Sequence, residues 1–252
     1  MDEKSYPVMA HLHDLRRSVV RALIGVVMGM ILCFFFAEEI LMWLRLPMEK
    51  VLGASSHFVV LSPQEYFFTE MKAALMAGIF LSSPWVMYQL WLFVVPGLYV
   101  KEKKLAGIFV LATVFFFVLG AYFAYAVVFP PMFKFFIGTL PPDIQGNYSI
   151  GILFGFATNL LLAFALVFET PVLVFLLVLM GVVEVEALSK WRRYVIVIAF
   201  VVAAILTPTP DPLTQIMMAV PIVLLFELGL FSAKLFVRKT NQSVNWPSKK
   251  KC

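Results

Sequence analysis

Apolar residues run almost unbroken through six stretches of the chain: 18–37, 71–95, 105–128, 153–180, 194–206 and 215–231. A bilayer core of about 30 Å needs roughly 20 apolar residues per helix. The first four stretches are long enough to cross. The fifth has 13 uninterrupted residues, or 16 if Trp191 and its neighbours join it, and the sixth has 17. Helices that short require a thinned bilayer or shielding by protein. A competing reading makes the last two a single re-entrant hairpin broken at Thr207-Pro208-Thr209-Pro210-Asp211-Pro212. Two crossings fit the charges better. The pattern therefore predicts an all-α integral membrane protein with six transmembrane helices, the last two short. It has a cytoplasmic amphipathic N-terminus over 1–17, a membrane domain over 18–236 and a basic cytoplasmic tail over 237–252.

Charge sets the orientation. With the N-terminus in the cytoplasm, the cytoplasmic segments 1–17, 97–104, 181–193 and 234–252 hold 15 Lys and Arg residues. The opposite segments 38–70, 129–152 and 207–212 hold three, Arg45, Lys50 and Lys134. That is a strong positive-inside bias, and it places both termini in the cytoplasm of a multi-pass cell (inner) membrane protein. The net charge of +5 is thus accounted for by topology and calls for no nucleic acid. Composition agrees: 62% of the 252 residues are hydrophobic and 14% charged, against about half and a quarter in soluble domains. A soluble fold of this length has too little interior for that apolar surface. The first stretch continues into Phe34-Phe35-Phe36-Ala37-Glu38-Glu39 without a small-residue cleavage site, so it reads as a span and not a cleaved signal.

Few polar residues lie inside the spans. Glu169, in Phe168-Glu169-Thr170-Pro171, sits mid-way along the fourth, where an ionised carboxylate costs about 2.5–3.5 kcal/mol or more. Pro171 removes a helical donor beside it and predicts a break there. Glu169 reads either as a polar point in a membrane cavity or as a neutral acid hydrogen-bonded to a neighbouring helix. Glu227, in the sixth span, carries the same two readings. Gln215, at the other end of that span, reads as interhelical glue or as a partner contact. His11, His13 and Asp14 resemble metal ligands at first sight, but the third histidine, His57, falls on the opposite side, so an amphipathic interfacial helix is the better reading.

Glu102 stands among Lys101, Lys103 and Lys104 in the first cytoplasmic loop. It is either a solvated acid paired with its neighbours or a carboxylate offered to an arginine fork, which fits it in a way an ammonium does not. The tail carries Trp246 and three lysines suited to anionic membrane lipid. No Walker A, His-Glu-x-x-His or Gly-x-Ser-x-Gly sequence occurs, so no cofactor is expected and an enzyme is disfavoured.

Several short segments fall in an order that resembles the TatC family, the receptor subunit of the twin-arginine translocase. They are His11-Leu12-His13-Asp14-Leu15-Arg16, Ser62-Pro63-Gln64-Glu65 and Tyr88-Gln89-Leu90-Trp91-Leu92-Phe93-Val94-Val95-Pro96-Gly97-Leu98-Tyr99. Phe168-Glu169-Thr170-Pro171, Leu206-Thr207-Pro208 with Asp211 and Gln215, and Pro221 with Phe226-Glu227 complete the set. The resemblance covers about residues 9–236. It implies a cup-shaped six-helix receptor that binds the Arg-Arg signal peptides of folded cargo at Asp14, Arg16, Phe93 and Glu102. The family usually has Glu where this chain has Asp14, which keeps the charge and shortens the reach by one methylene. It further implies an intramembrane acid at Glu169, contact with single-span Tat partner subunits (TatA/TatB type) at Thr207 and Gln215, self-association in a receptor complex, and export driven by the proton-motive force. The alternative from another class is a proton-coupled small-molecule or ion transporter using Glu169.

Overall fold

The computed structural model describes residues 8–52, 57–94, 106–138, 147–206 and 212–243. The helices are α1 (Val8–Phe34), α2 (Ala37–Leu52), α3 (Pro63–Val94), α4 (Ala106–Phe123), α5 (Phe129–Gly138), α6 (Ile150–Val167), α7 (Thr170–Leu179), α8 (Val185–Lys190), α9 (Arg192–Leu206) and α10 (Pro212–Ser243). Two short strands, β1 (His57–Val59) and β2 (Asn147–Ser149), complete the set. The chain divides into two compact units, Met1–Phe168 and Glu169–Cys252.

A backbone with no water beside it must pair its own amides, which is why the apolar stretches are helical. Among the described residues, five helical segments are long and apolar enough to cross a membrane: Leu15–Phe34, Pro63–Leu92, Gly107–Phe135, Ile150–Leu179 and Gln215–Val237. The fifth expected stretch is α9, whose 15 residues reach about 22 Å at 1.5 Å per residue. The sixth is longer than expected. Ser232-Ala233-Lys234-Leu235-Phe236-Val237 continue the helix beyond residue 231, because a lysine at a helix end does not stop it. The amphipathic helix expected over 1–17 runs, from Val8 onward, straight into the first span as one helix, α1, with no proline and no glycine before Gly25 to interrupt it.

In the first unit α1 packs along α3. The crossing brings backbone against backbone at Gly29 and Gly78. A Cβ on Gly78 would lie 2.5 Å from the Met30 nitrogen, and one on Gly29 would lie 2.7 Å from the Gly78 carbonyl oxygen. The other face of α1 shows Leu23, Ile24, Val27, Met28, Ile31 and Leu32, each more than half exposed, as a lipid-facing surface requires. Trp85 donates its indole N–H to the Arg21 carbonyl at 3.0 Å and ties the two helices at one end. Pro84 lies inside α3 and offers no N–H to the Phe80 carbonyl. The Ser83 hydroxyl donates to that oxygen instead, at 2.8 Å.

The segments 38–70 and 129–152, which the charge pattern puts on the side opposite the cytoplasm, contain helices and strands. α2 buries Ala37, Leu41, Leu44 and Met48, a helical spacing, and packs on α5. Between α4 and α5 the residues Ala124–Val128 form a π turn in which the Phe129 N–H donates to the Ala124 carbonyl, five residues back. Pro130 and Pro131 follow at once and cannot donate to the usual partners, so the wider turn suits them. β1 and β2 pair in parallel, with His57 opposite Asn147 and Val59 opposite Ser149.

In the second unit α10 packs against α7, α8 and α9. Its core is Val174, Val185, Leu188, Phe226, Leu230 and Ala233.

Candidate functional site

The sequence places its candidate polar residues at helix starts, helix ends and one mid-span acid. Asp14 and Arg16 both lie on α1, in its second and third turns, and Arg16 is exposed. Together with His13, Arg17 and Arg21 it lines a shallow depression on that helix. The positions 13, 16, 17 and 21 share one helix face, so the arginines stand as a stripe. Phe93 lies in the last turn of α3. Glu102 and Thr207 lie outside the described residues. One turn before Phe93, Gln89 is 2% exposed, and its amide oxygen has no hydrogen-bond partner among the described residues. A buried polar atom without a partner is uncommon. Sequence reasoning passed over Gln89, although it stands within the Tyr88–Tyr99 motif.

At the other end of α3 the motif Ser62-Pro63-Gln64-Glu65 builds a helix start. The Ser62 hydroxyl accepts from the Glu65 N–H at 3.2 Å, and Pro63 occupies the first helical position, where a missing N–H costs nothing. Glu65 then turns its carboxylate both ways. One oxygen accepts from the Leu61 N–H at 2.6 Å, and the other accepts from the Gly151 N–H at 2.8 Å and from the Ser149 hydroxyl. Ser149 is itself the N-cap of α6. A single carboxylate therefore clips the starts of α3 and α6 together beside the β1–β2 pair. Gly151 is required there, since a Cβ would meet Glu65 Cγ at 2.6 Å. The first half of this clip follows the Ser-x-x-Glu spacing of a helix start, with the carboxylate reaching one residue further back, to the Leu61 N–H. Its second half joins residues more than 80 positions apart and has no local signal.

Glu169 opens the second unit. It is 8% exposed, and its Oε1 is buried without a hydrogen-bond partner among the described residues. The helix breaks at Phe168 and Glu169, as Pro171 predicts, and restarts as α7 with the Leu173 N–H donating to the Glu169 carbonyl at 2.9 Å. Glu227 on α10 accepts from Arg192 of α9 at 2.7 Å, with both side chains partly exposed. That pairing was not read from the sequence. Gln215 donates its amide N–H to the Phe200 carbonyl at 3.0 Å and bonds α10 to α9, the glue reading of that residue.

The family model described as Sec-independent protein translocase protein (TatC) matches residues 10–221. The Sec-independent protein translocase protein TatC of Desulforapulum autotrophicum is 40% identical over 238 residues, which cover 94% of this chain and 88% of that protein. The protein of the same description from Escherichia coli K12 is 36% identical over 237 residues, 94% of this chain and 92% of its own. A crystal structure of the twin-arginine translocase receptor TatC matches with a TM-score of 0.79 and 36% identity, covering 89% of this chain and 98% of that one. With its motifs in this order and similarity of this extent in both sequence and structure, the chain belongs to the TatC family of Sec-independent protein translocase proteins.

Proposed function

We propose that the protein is the signal-peptide receptor of a twin-arginine translocase, recognising paired arginines of folded cargo on the cytoplasmic side of the inner membrane. Asp14 and Glu102 supply carboxylates for guanidinium forks, Arg16 orients them, and Phe93 offers an apolar face to the peptide. The membership in TatC carries this reading, because all four motif positions are occupied by residues with the required chemistry. A carboxylate takes two parallel N–H bonds from arginine and has no equivalent geometry for lysine, which accounts for the selectivity.

The same reading has six crossings, with α9 as the short fifth, and both termini in the cytoplasm, supported by the 15-to-3 division of basic residues. Thr207 and Gln215 contact single-span Tat partner subunits, copies of the receptor associate, and the proton-motive force drives export, since the chain has no nucleotide-binding motif.

The test is a titration of the purified protein with a labelled Arg-Arg signal peptide and its Lys-Lys twin, repeated on Glu102→Gln. Tight binding of the Arg-Arg peptide alone, lost in the variant, is the expected result. Equal binding of both peptides would overturn the proposal, since bare charge or hydrophobic attraction would then suffice.

A further inference from the structure

A cavity of about 480 Å³ opens on the first unit, with Trp43, Ala77, Phe80, Val118 and Tyr125 among its lining residues and Glu39 at its edge. Its walls are almost wholly apolar, and Glu39 is the one charged residue among those that line it. We infer that this groove holds one acyl chain of a phosphatidylethanolamine molecule, whose ammonium headgroup is bound by the Glu39 carboxylate.

Three observations carry the assignment. The first is length. Val118 and Tyr125 are seven residues apart along the helical path, about 10 Å at 1.5 Å per residue. One leaflet of hydrocarbon is about 15 Å deep, so the groove follows the upper two-thirds of a chain entering from the interface. The second is a fixed mouth. The Trp43 and Tyr125 rings stack at 4.1 Å with 4° between their planes, and the Tyr125 hydroxyl donates to the Trp43 carbonyl at 2.8 Å. Tryptophan and tyrosine in such a pair mark headgroup depth. With the Tyr125 hydroxyl already engaged, Glu39 is the charged group among the lining residues that can select a headgroup.

The third is charge. Glu39 is exposed and pairs with no cation among the described residues. A carboxylate at headgroup depth repels an anionic lipid and attracts a cationic group. A primary ammonium also donates N–H bonds to it, which a choline headgroup has no hydrogen to do. An ethanolamine lipid is therefore preferred over both phosphatidylcholine and phosphatidylglycerol. This assignment stands independently of signal-peptide recognition.

The experiment is native mass spectrometry of the full-length protein in detergent, equilibrated with equal amounts of the three phospholipids. The wild type is expected to retain phosphatidylethanolamine preferentially. Glu39→Gln should lower its ratio to phosphatidylglycerol about fivefold, the worth of one charge near a membrane surface. Glu186→Gln, an exposed acid of the second unit, should leave the ratio unchanged. Ala77→Phe, which fills the groove, should reduce total retained lipid, with far-ultraviolet circular dichroism reporting that the helices persist. No preference in the wild type, an unchanged ratio in Glu39→Gln, or full retention by a folded Ala77→Phe each overturns the assignment. A lipid-free dimer in place of the lipid-bound species would overturn it too, by giving the groove to a second copy.

Discussion

Replacing Gly78 by alanine tests how closely α1 and α3 approach. The new Cβ would sit 2.5 Å from the Met30 nitrogen, 2.7 Å from its Cα and 2.8 Å from the Gly29 carbonyl carbon. Comfortable carbon contacts begin near about 3.5 Å, so the helices must part by roughly 1 Å. The obstacle is backbone, and no side-chain rotation relieves it. Overpacking of this kind costs about 1–3 kcal/mol, partly offset by the roughly 0.5–1 kcal/mol that alanine gains over glycine within a helix. At mid-range the net loss is about 1 kcal/mol, which lowers the folded-to-unfolded ratio about fivefold. Gly155 on α6 is the control, because a Cβ there meets nothing within 4 Å. Gly155→Ala should stabilise by about 0.5–1 kcal/mol through backbone entropy alone. Unfolding in mixed micelles with a rising mole fraction of sodium dodecyl sulfate, followed by circular dichroism, reads both. Opposite signs are expected, and the Gly29→Ala/Gly78→Ala double variant should cost less than the sum of the singles, because one parting of α1 from α3 accommodates both methyl groups. If Gly78→Ala were as stable as Gly155→Ala, the reasoning from this contact would fail.

Substitutions at two further residues address the clip and the α9–α10 contact. Glu65→Ala should speed hydrogen exchange at the Leu61 and Gly151 amides together, while Glu65→Gln, with a single carbonyl oxygen, retains part of the protection; independent changes at the two amides would refute a shared clip. Gln215→Leu removes the bond to the Phe200 carbonyl and should cost about 0.6–1.7 kcal/mol in the same micellar unfolding assay. In a transport assay it should impair export while leaving signal-peptide affinity intact, and a loss of peptide binding would count against a partner-contact role.

Features set by near neighbours and by bilayer thickness were determined by the sequence alone. Long apolar stretches force helices because the membrane leaves no other way to pair backbone amides, and the basic residues flanking them carry the proposed orientation. The helix start at Ser62 and Glu65 and the bend before Pro171 are local too, and the proline alone made the second legible. Helix ends were less so: α10 outruns its apolar core because no stop signal follows Phe231. α2 follows the first span with Ala37, Leu41, Leu44 and Met48 at a helical period, but its 16 residues are too few and too charged to read as a span.

Which distant groups meet was decided only by the tertiary structure. Glu65 finds Ser149 and Gly151, Arg192 finds Glu227, and Gly29 finds Gly78 across 35 to 86 positions of chain. Each carboxylate, arginine or glycine in these pairs has many possible partners in the sequence. The choice falls to helix packing, because a hydrogen bond or a backbone contact exists only where two helices bring particular atoms within about 3 Å of one another.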